Sequence, residues 1–209
     1  MPVSNIPLFA FHLFAALMVL SQTACSQSDT ATPKELNNIL LEQPLAIETF
    51  ELTTQYGTEF TVENFKNHWT FLFFGYTHCP DICPTTLTEL ALLAQRMPQN
   101  NKFQFVFVSV DPDRDTPEHL KEYIAYFNEQ FVGLTGQMDK INTLTKQLNI
   151  KYAKEPAVDG NYAVNHSSAV LLVDPQGRYV ARFNAPHYAE VMLGKFELLK
   201  NFVQPGPQT

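Results

Sequence analysis

The 209-residue chain has room for one domain plus export and linker segments, and its hydrophobic fraction of 45% supplies an ordinary globular core. Its 14 Lys+Arg against 21 Asp+Glu give a formal charge of -7, which argues against a nucleic acid partner, since phosphate-backbone binding needs a basic surface. No block of like charge interrupts this balance, so the acidity reads as a solubilising surface.

Residues 6–20 are nearly all apolar, a run the length of a signal-peptide core and shorter than the ~20 residues that span a bilayer. Ser21-Gln22-Thr23-Ala24 then leads into Cys25, followed by polar Ser26-Gln27-Ser28-Asp29. A cysteine after a small residue in this setting resembles a bacterial lipoprotein processing site, where the thiol takes the lipid and tethers the chain to the membrane. Gln22 stands where such sites usually carry Leu, and no Lys or Arg precedes Ile6, so an uncleaved anchor and simple cleavage remain alternatives. The expectation is an exported, membrane-tethered protein of the bacterial envelope, facing the periplasm. Its parts are a signal, lipoprotein or anchor segment over residues 1–25, a flexible polar linker over 26–39, a folded domain over 40–203 and a tail over 204–209.

Within the domain, Ile47-Glu48-Thr49-Phe50-Glu51-Leu52 alternates at period two. A Tyr56-Gly57 turn leads to Phe60-Thr61-Val62, which predicts a hairpin. Thr70-Phe71-Leu72-Phe73-Phe74, ended by Gly75, is a continuous apolar run suited to a central strand buried on both faces. Leu87, Leu90, Ala91, Ala94 and Met97 recur at helical spacing, with Pro84 in the first turn, so Cys79 and Cys83 straddle a strand-to-helix turn. Residues 103–110 predict a second buried strand. Thr116-Pro117-Glu118 then opens a helix carrying Leu120, Tyr123, Ile124 and Phe127. A third helix shows Ile141, Leu144 and Leu148. Ala169-Val170-Leu171-Leu172-Val173 is a strand, and the turn Asp174-Pro175-Gln176-Gly177 returns residues 179–183 antiparallel to it. A last helix carries Tyr188, Met192, Phe196 and Leu199. This order specifies an α/β fold, a mixed sheet flanked by helices, with a thioredoxin-like arrangement as the leading candidate and the N-terminal hairpin added to it. Ligands in open α/β sheets gather outside the carboxyl ends of the strands, where residues 75–83 and 111–115 fall.

With Cys25 assigned to the membrane, the domain keeps two thiols four positions apart. They could be a disulfide, a redox couple or a pair of metal ligands. The half-charge at the start of a helix favours thiolate, the form that binds soft metals or attacks disulfides. Redox motifs of the thioredoxin type have two residues between the cysteines. The three here, Pro80-Asp81-Ile82, change the turn and favour a metal. Zinc prefers four ligands and no second cysteine pair exists, so copper suits the site better. Among the histidines, His12 lies in the export segment, His68 and His119 have solvated contexts, and His187 reads as a surface or capping residue. His78 adjoins Cys79 in a tight turn. Composition and spacing do not select His166 as a third ligand.

Three motifs together, Phe74-Gly75-Tyr76-Thr77-His78-Cys79-Pro80-Asp81-Ile82-Cys83-Pro84, Ser109-Val110-Asp111-Pro112-Asp113-Arg114-Asp115-Thr116-Pro117 and His166-Ser167 with Asp174-Pro175-Gln176-Gly177, resemble the Sco/SenC family of copper proteins. The resemblance runs in order from about Leu40 to Phe202. It implies a thioredoxin-like fold and copper, as Cu(I) or Cu(II), on Cys79, Cys83 and His166. It also implies a metallochaperone role in assembling the dinuclear copper centre of cytochrome c oxidase. The implied partners are the copper-receiving oxidase subunit, other copper chaperones and thiol reductants. Many relatives carry Asp where this chain has Asn165. A different use of the same pair, Cys79 and Cys83 cycling as a thiol-disulfide oxidoreductase that keeps the partner's cysteines reduced, is the alternative. Asp111 and its neighbours read as loop architecture, with Arg114 paired to an aspartate.

Overall fold

The computed structural model describes residues 32–98, 103–156 and 161–203. The expected export segment with Cys25, the first part of the linker and the C-terminal tail lie outside the described residues. Among the described residues, no helix is long and apolar enough to cross a membrane. Packing begins ahead of Leu40: Lys34–Leu36 forms a 3-10 turn that buries Leu36 completely, and Ile39 is buried behind it.

Among the described residues, ten strands and four α-helices follow. They are β1 (Leu40–Ala46), β2 (Glu51–Thr54), β3 (Glu59–Thr61), β4 (Trp69–Gly75), α1 (Ile82–Arg96), β5 (Phe103–Ser109), α2 (Pro117–Phe127), β6 (Val132–Thr135), α3 (Met138–Gln147), β7 (Tyr152–Lys154), β8 (Val164–His166), β9 (Val170–Val173), β10 (Arg178–Phe183) and α4 (Ala189–Val203). Eight strands make one mixed sheet in the order β1-β10-β9-β4-β5-β6-β2-β3, and β7 pairs with β8 in a separate ribbon.

The expected central strand is central. Every residue of β4 is buried, because one edge pairs in parallel with β5 while the other pairs antiparallel with β9. Its Phe71 stacks on Phe105 at 5.1 Å, and Phe196 of α4 meets Trp69 edge-on at 5.3 Å. The helix signals also place their elements. The Thr116 hydroxyl accepts from His119 N–H at the start of α2, and the Asp174 turn joins β9 to β10 with Gly177 at φ +78°.

Three differences stand out. The N-terminal hairpin is present as β2 and β3, with Leu52 opposite Phe60, but it begins at Glu51. The alternation read from Ile47 reflects separate burial of Ile47 and Phe50 in irregular chain. Secondly, β1, β6 and the β7–β8 ribbon are additional to the sequence expectation. They are short or exposed segments; the partners of β1 and β6 also lie far away in sequence, β10 for β1 and both β5 and β2 for β6. Thirdly, Tyr188 lies outside α4 and is 56% exposed, so the buried stripe is Ala189, Met192, Phe196 and Leu199.

Candidate metal centre

Because β4 and β5 are parallel and in register from Trp69–Phe103 to Gly75–Ser109, their carboxyl ends lie side by side. The turn from β4 into α1 and the loop leaving β5 therefore meet at one edge of the sheet, where the Gly75 carbonyl accepts from Val110 N–H at 2.9 Å. The third contributor reaches this edge by a different route. Since β9 runs antiparallel to β4 with Val170 opposite Phe73, the chain just before β9 must lie at the carboxyl end of β4. His166, the last residue of β8, is delivered there.

Cys83 is the second residue of α1 and fully buried, while Cys79 lies just ahead of the helix and is 9% exposed. Cys83 N–H, one of the donors that a helix start leaves unsatisfied, points at Cys79 Sγ at 3.4 Å. His166 Nε2 is 3.3 Å from Cys83 Sγ. The other ring nitrogen, Nδ1, lies 3.0 Å from the Ser167 carbonyl, which can only accept, so Nδ1 carries the proton and Nε2 presents its lone pair. Edge-on contacts with Phe73 at 6.1 Å and Tyr76 at 5.8 Å hold the ring. The three candidate ligand atoms all lie within 4.8 Å of one another.

The two sulfurs differ sharply in acidity. A hydrogen bond from Cys83, with the backbone N–H groups of Asp81 and Cys83 adding to it, pulls Cys79 down to about 4 against the opposing effect of burial. Cys83 is pushed far up, because the proton it shares with Cys79 would be lost and a second anion would form in a buried place. The metal-free dithiol is thus one thiolate and one thiol, with both cysteines free of any disulfide.

Two sulfurs and one imidazole nitrogen fit a soft, low-coordinate ion. Bonds of about 2.3 Å to sulfur and 2.0 Å to nitrogen around a trigonal centre would put the donors about 4 Å apart. Gly75 makes the space: a Cβ there would sit 2.5 Å from Cys83 Sγ.

The SCO1/SenC family profile matches residues 40–200. The chain belongs to that family. A Stutzerimonas stutzeri relative provisionally named a copper-binding protein is 37% identical over 188 residues, which cover 89% of this chain and 91% of that one. Among solved structures, Arabidopsis thaliana ScoI with copper bound is similar at 33% identity and a TM-score of 0.70, covering 75% of this chain and 99% of that chain. A SCO1/SenC family lipoprotein from Bacillus anthracis is similar at 27% identity and a TM-score of 0.64, with 75% and 97% covered.

In this SCO1/SenC chain the other histidines separate clearly. His78 and His119 are exposed, with ring centroids 5.6 Å apart. His187 corrects the sequence reading: it is buried, with Nε2 2.7 Å from the Ser168 carbonyl, and burial lowers its pKa. Arg114 does pair with an aspartate, Asp111, at 2.5 Å. It also donates to the Tyr162 carbonyl and stacks 3.7 Å from the Tyr162 ring. Asp115 is fully buried, accepting from Ser109 Oγ, Thr77 Oγ1 and Thr77 N–H. Sequence reasoning missed the supporting roles of Gly75, Tyr76, Thr77 and Tyr162. Gly75, Tyr76 and Thr77 stand inside the cysteine motif, whereas nothing local marks Tyr162.

Proposed function

We propose that this SCO1/SenC protein is a copper metallochaperone that carries its cargo on Cys79, Cys83 and His166. The observation that carries the reading is the convergence of two Sγ atoms and His166 Nε2 within 4.8 Å at the rim of the fold. Two soft sulfurs favour Cu(I), and the imidazole keeps Cu(II) accessible. Binding displaces the proton held by Cys83, so loading releases it to solvent. His166 is the least buried of the three, so it is the ligand that a partner's donors can replace first, while the buried Cys79 and Cys83 retain the cargo until replacement is complete. The family resemblance supports delivery to the copper-receiving subunit of cytochrome c oxidase. The apolar run ahead of Cys25 and the lipoprotein relative support tethering to the membrane at the N-terminus, facing the periplasm.

The test is an anaerobic Cu(I) titration of the reduced protein under competition with a chelator. One equivalent with sulfur ligation is expected, with retention at least tenfold weaker in His166→Ala. Unchanged retention in that variant would refute the ligand assignment.

The low pKa of Cys79 favours a second use of the pair as a thiol-disulfide oxidoreductase. Cys79 Sγ would attack a partner disulfide, expelling one partner thiolate and forming a mixed disulfide. Cys83, deprotonated in turn, would then displace the second partner thiolate, leaving the partner reduced and Cys79–Cys83 oxidised until an external thiol restores it. Trapping a mixed disulfide with Cys83→Ser supports this activity; no trapped partner and no reduction of a target disulfide leave only the chaperone role.

A further inference from the structure

A second convergence of ligand atoms lies one residue from Cys79 and shares no side chain with the first. His78, Asp115 and His119 each offer one atom, and these atoms lie within 4.8 Å of one another. The Thr77 hydroxyl sits among them, 3.0 Å from His78 Nδ1, 3.0 Å from His119 Nε2 and 2.6 Å from Asp115 Oδ1. A hydroxyl has one proton. Here it is donated to the carboxylate, so both imidazoles meet the hydroxyl's lone pairs with N–H groups. Two rings from different elements, the β4–α1 turn and the first turn of α2, thus aim at one point above a carboxylate.

The carboxylate is the unusual member. Asp115 is fully buried and ion-paired to no Lys or Arg among the described residues; its oxygens meet only Ser109 Oγ, Thr77 Oγ1 and Thr77 N–H. Buried carboxylates are normally paired or bound to a metal, because desolvated charge is costly. Both rings are exposed, so moving each ring proton to its other nitrogen, where water accepts it, costs little and leaves His78 Nδ1 and His119 Nε2 as lone pairs. We propose that His78, His119 and Asp115 form a second metal site, selective for a divalent ion of the Cu(II) type. Two imidazoles and a carboxylate lack the soft sulfur that Cu(I) needs, and among first-row divalent ions Cu(II) binds such donors most tightly. The chain then holds two neighbouring sites of opposite preference, sulfur-rich and buried against nitrogen-oxygen and exposed.

The test uses the full chain carrying Cys79→Ser, Cys83→Ser and His166→Ala, so that the sulfur-rich site contributes nothing. Cu(II) is titrated against a competing chelator and the complex read by electron paramagnetic resonance. One equivalent is expected, with nitrogen hyperfine structure from two imidazoles. Adding His78→Ala or His119→Ala should weaken binding tenfold or more and remove one nitrogen from the pattern. Should an alanine variant misfold by circular dichroism, His78→Gln and His119→Gln keep a polar group towards Thr77 without an imidazole and should show the same loss. No binding in the parent, or unchanged affinity and spectrum after either His78 or His119 is replaced, would overturn the proposal. Failure of the Cys79, Cys83 and His166 reading would appear separately, in the Cu(I) titration of the unmodified chain.

Discussion

At position 75 any side chain would collide with Cys83: a Cβ lies 2.5 Å from its Sγ and 2.9 Å from Phe107 Cε2. Both neighbours are buried and neither is the free end of a flexible chain, so Gly75→Ala must push the sulfur or the ring aside. Overpacking of this kind costs about 1–3 kcal/mol, measurable by urea unfolding, and copper retention should fall with it. Unchanged stability would show that the strand end adapts freely. The acidity of Cys79 makes a second residue-level prediction. Thiolate is the deprotonated form, so alkylation of Cys79 in the reduced, metal-free protein should persist from neutral pH down to about 4 and fall only below it. An ordinary thiol loses reactivity tenfold per pH unit below about 8.5. Cys83→Ala removes the largest stabiliser of the thiolate and should move the profile upward, as read by mass spectrometry of iodoacetamide labelling across pH. The cysteine pair and its helix start were legible in the sequence, because the motif is contiguous. The division of one proton between the two thiols was not, since it depends on which sulfur is buried.

Among elements, the β7–β8 ribbon matters most, because it carries His166 and has little core of its own. It is held from outside. Arg114, in the loop after β5, donates to Asp111 Oδ2 and to the Tyr162 carbonyl, the Tyr162 hydroxyl donates to Asp111 Oδ1 at 2.6 Å, and Lys154 reaches Asp111 at 3.4 Å. On the other side the Tyr152 hydroxyl donates to Asn142 of α3. The loop that packs beside the cysteine turn therefore also grips the approach to the histidine. Lys cannot reproduce the flat fork or the stack on Tyr162, so Arg114→Lys should cost about 2 kcal/mol, the scale of hydrogen bonds to a charged group. It should also weaken copper retention severalfold with every ligand still present. Retention equal to the parent would mean the ribbon holds His166 without the clamp. Asn165 donates to Glu155 Oε1 at 2.6 Å across the ribbon. An Asp at this place would set two carboxylates together, replacing a hydrogen bond with like-charge repulsion.

For the whole molecule, copper and the dithiol are linked by mass action. A ligand that binds only the folded, reduced form at 1,000 times its dissociation constant adds about 4 kcal/mol of stability. In a domain of this size that corresponds to a rise of roughly 8–16 °C in Tm. The dithiol form should show this rise by calorimetry on Cu(I) addition. The Cys79–Cys83 disulfide form should show almost none, because oxidation removes two of the three proposed donors at once. An equal rise in both forms would place the metal elsewhere.

The central strand, the helix starts at Thr116 and at the cysteine turn, and the Asp174 hairpin follow from the sequence because each is dictated by neighbours within a few residues. Apolar run length, caps and turn residues act locally, so they can be read locally. Position 166 is different. Nothing within a few residues of His166 distinguishes a ligand from a structural histidine, and only the family resemblance singled it out. What brings its Nε2 within 3.3 Å of Cys83 is the antiparallel pairing of β9 with β4, across 83 residues of chain. The same holds for the burial of His187 and for the meeting of His78, Asp115 and His119 around Thr77. These depend on which strands become neighbours, a choice made by burial of the whole sheet, and so only the tertiary structure decides them.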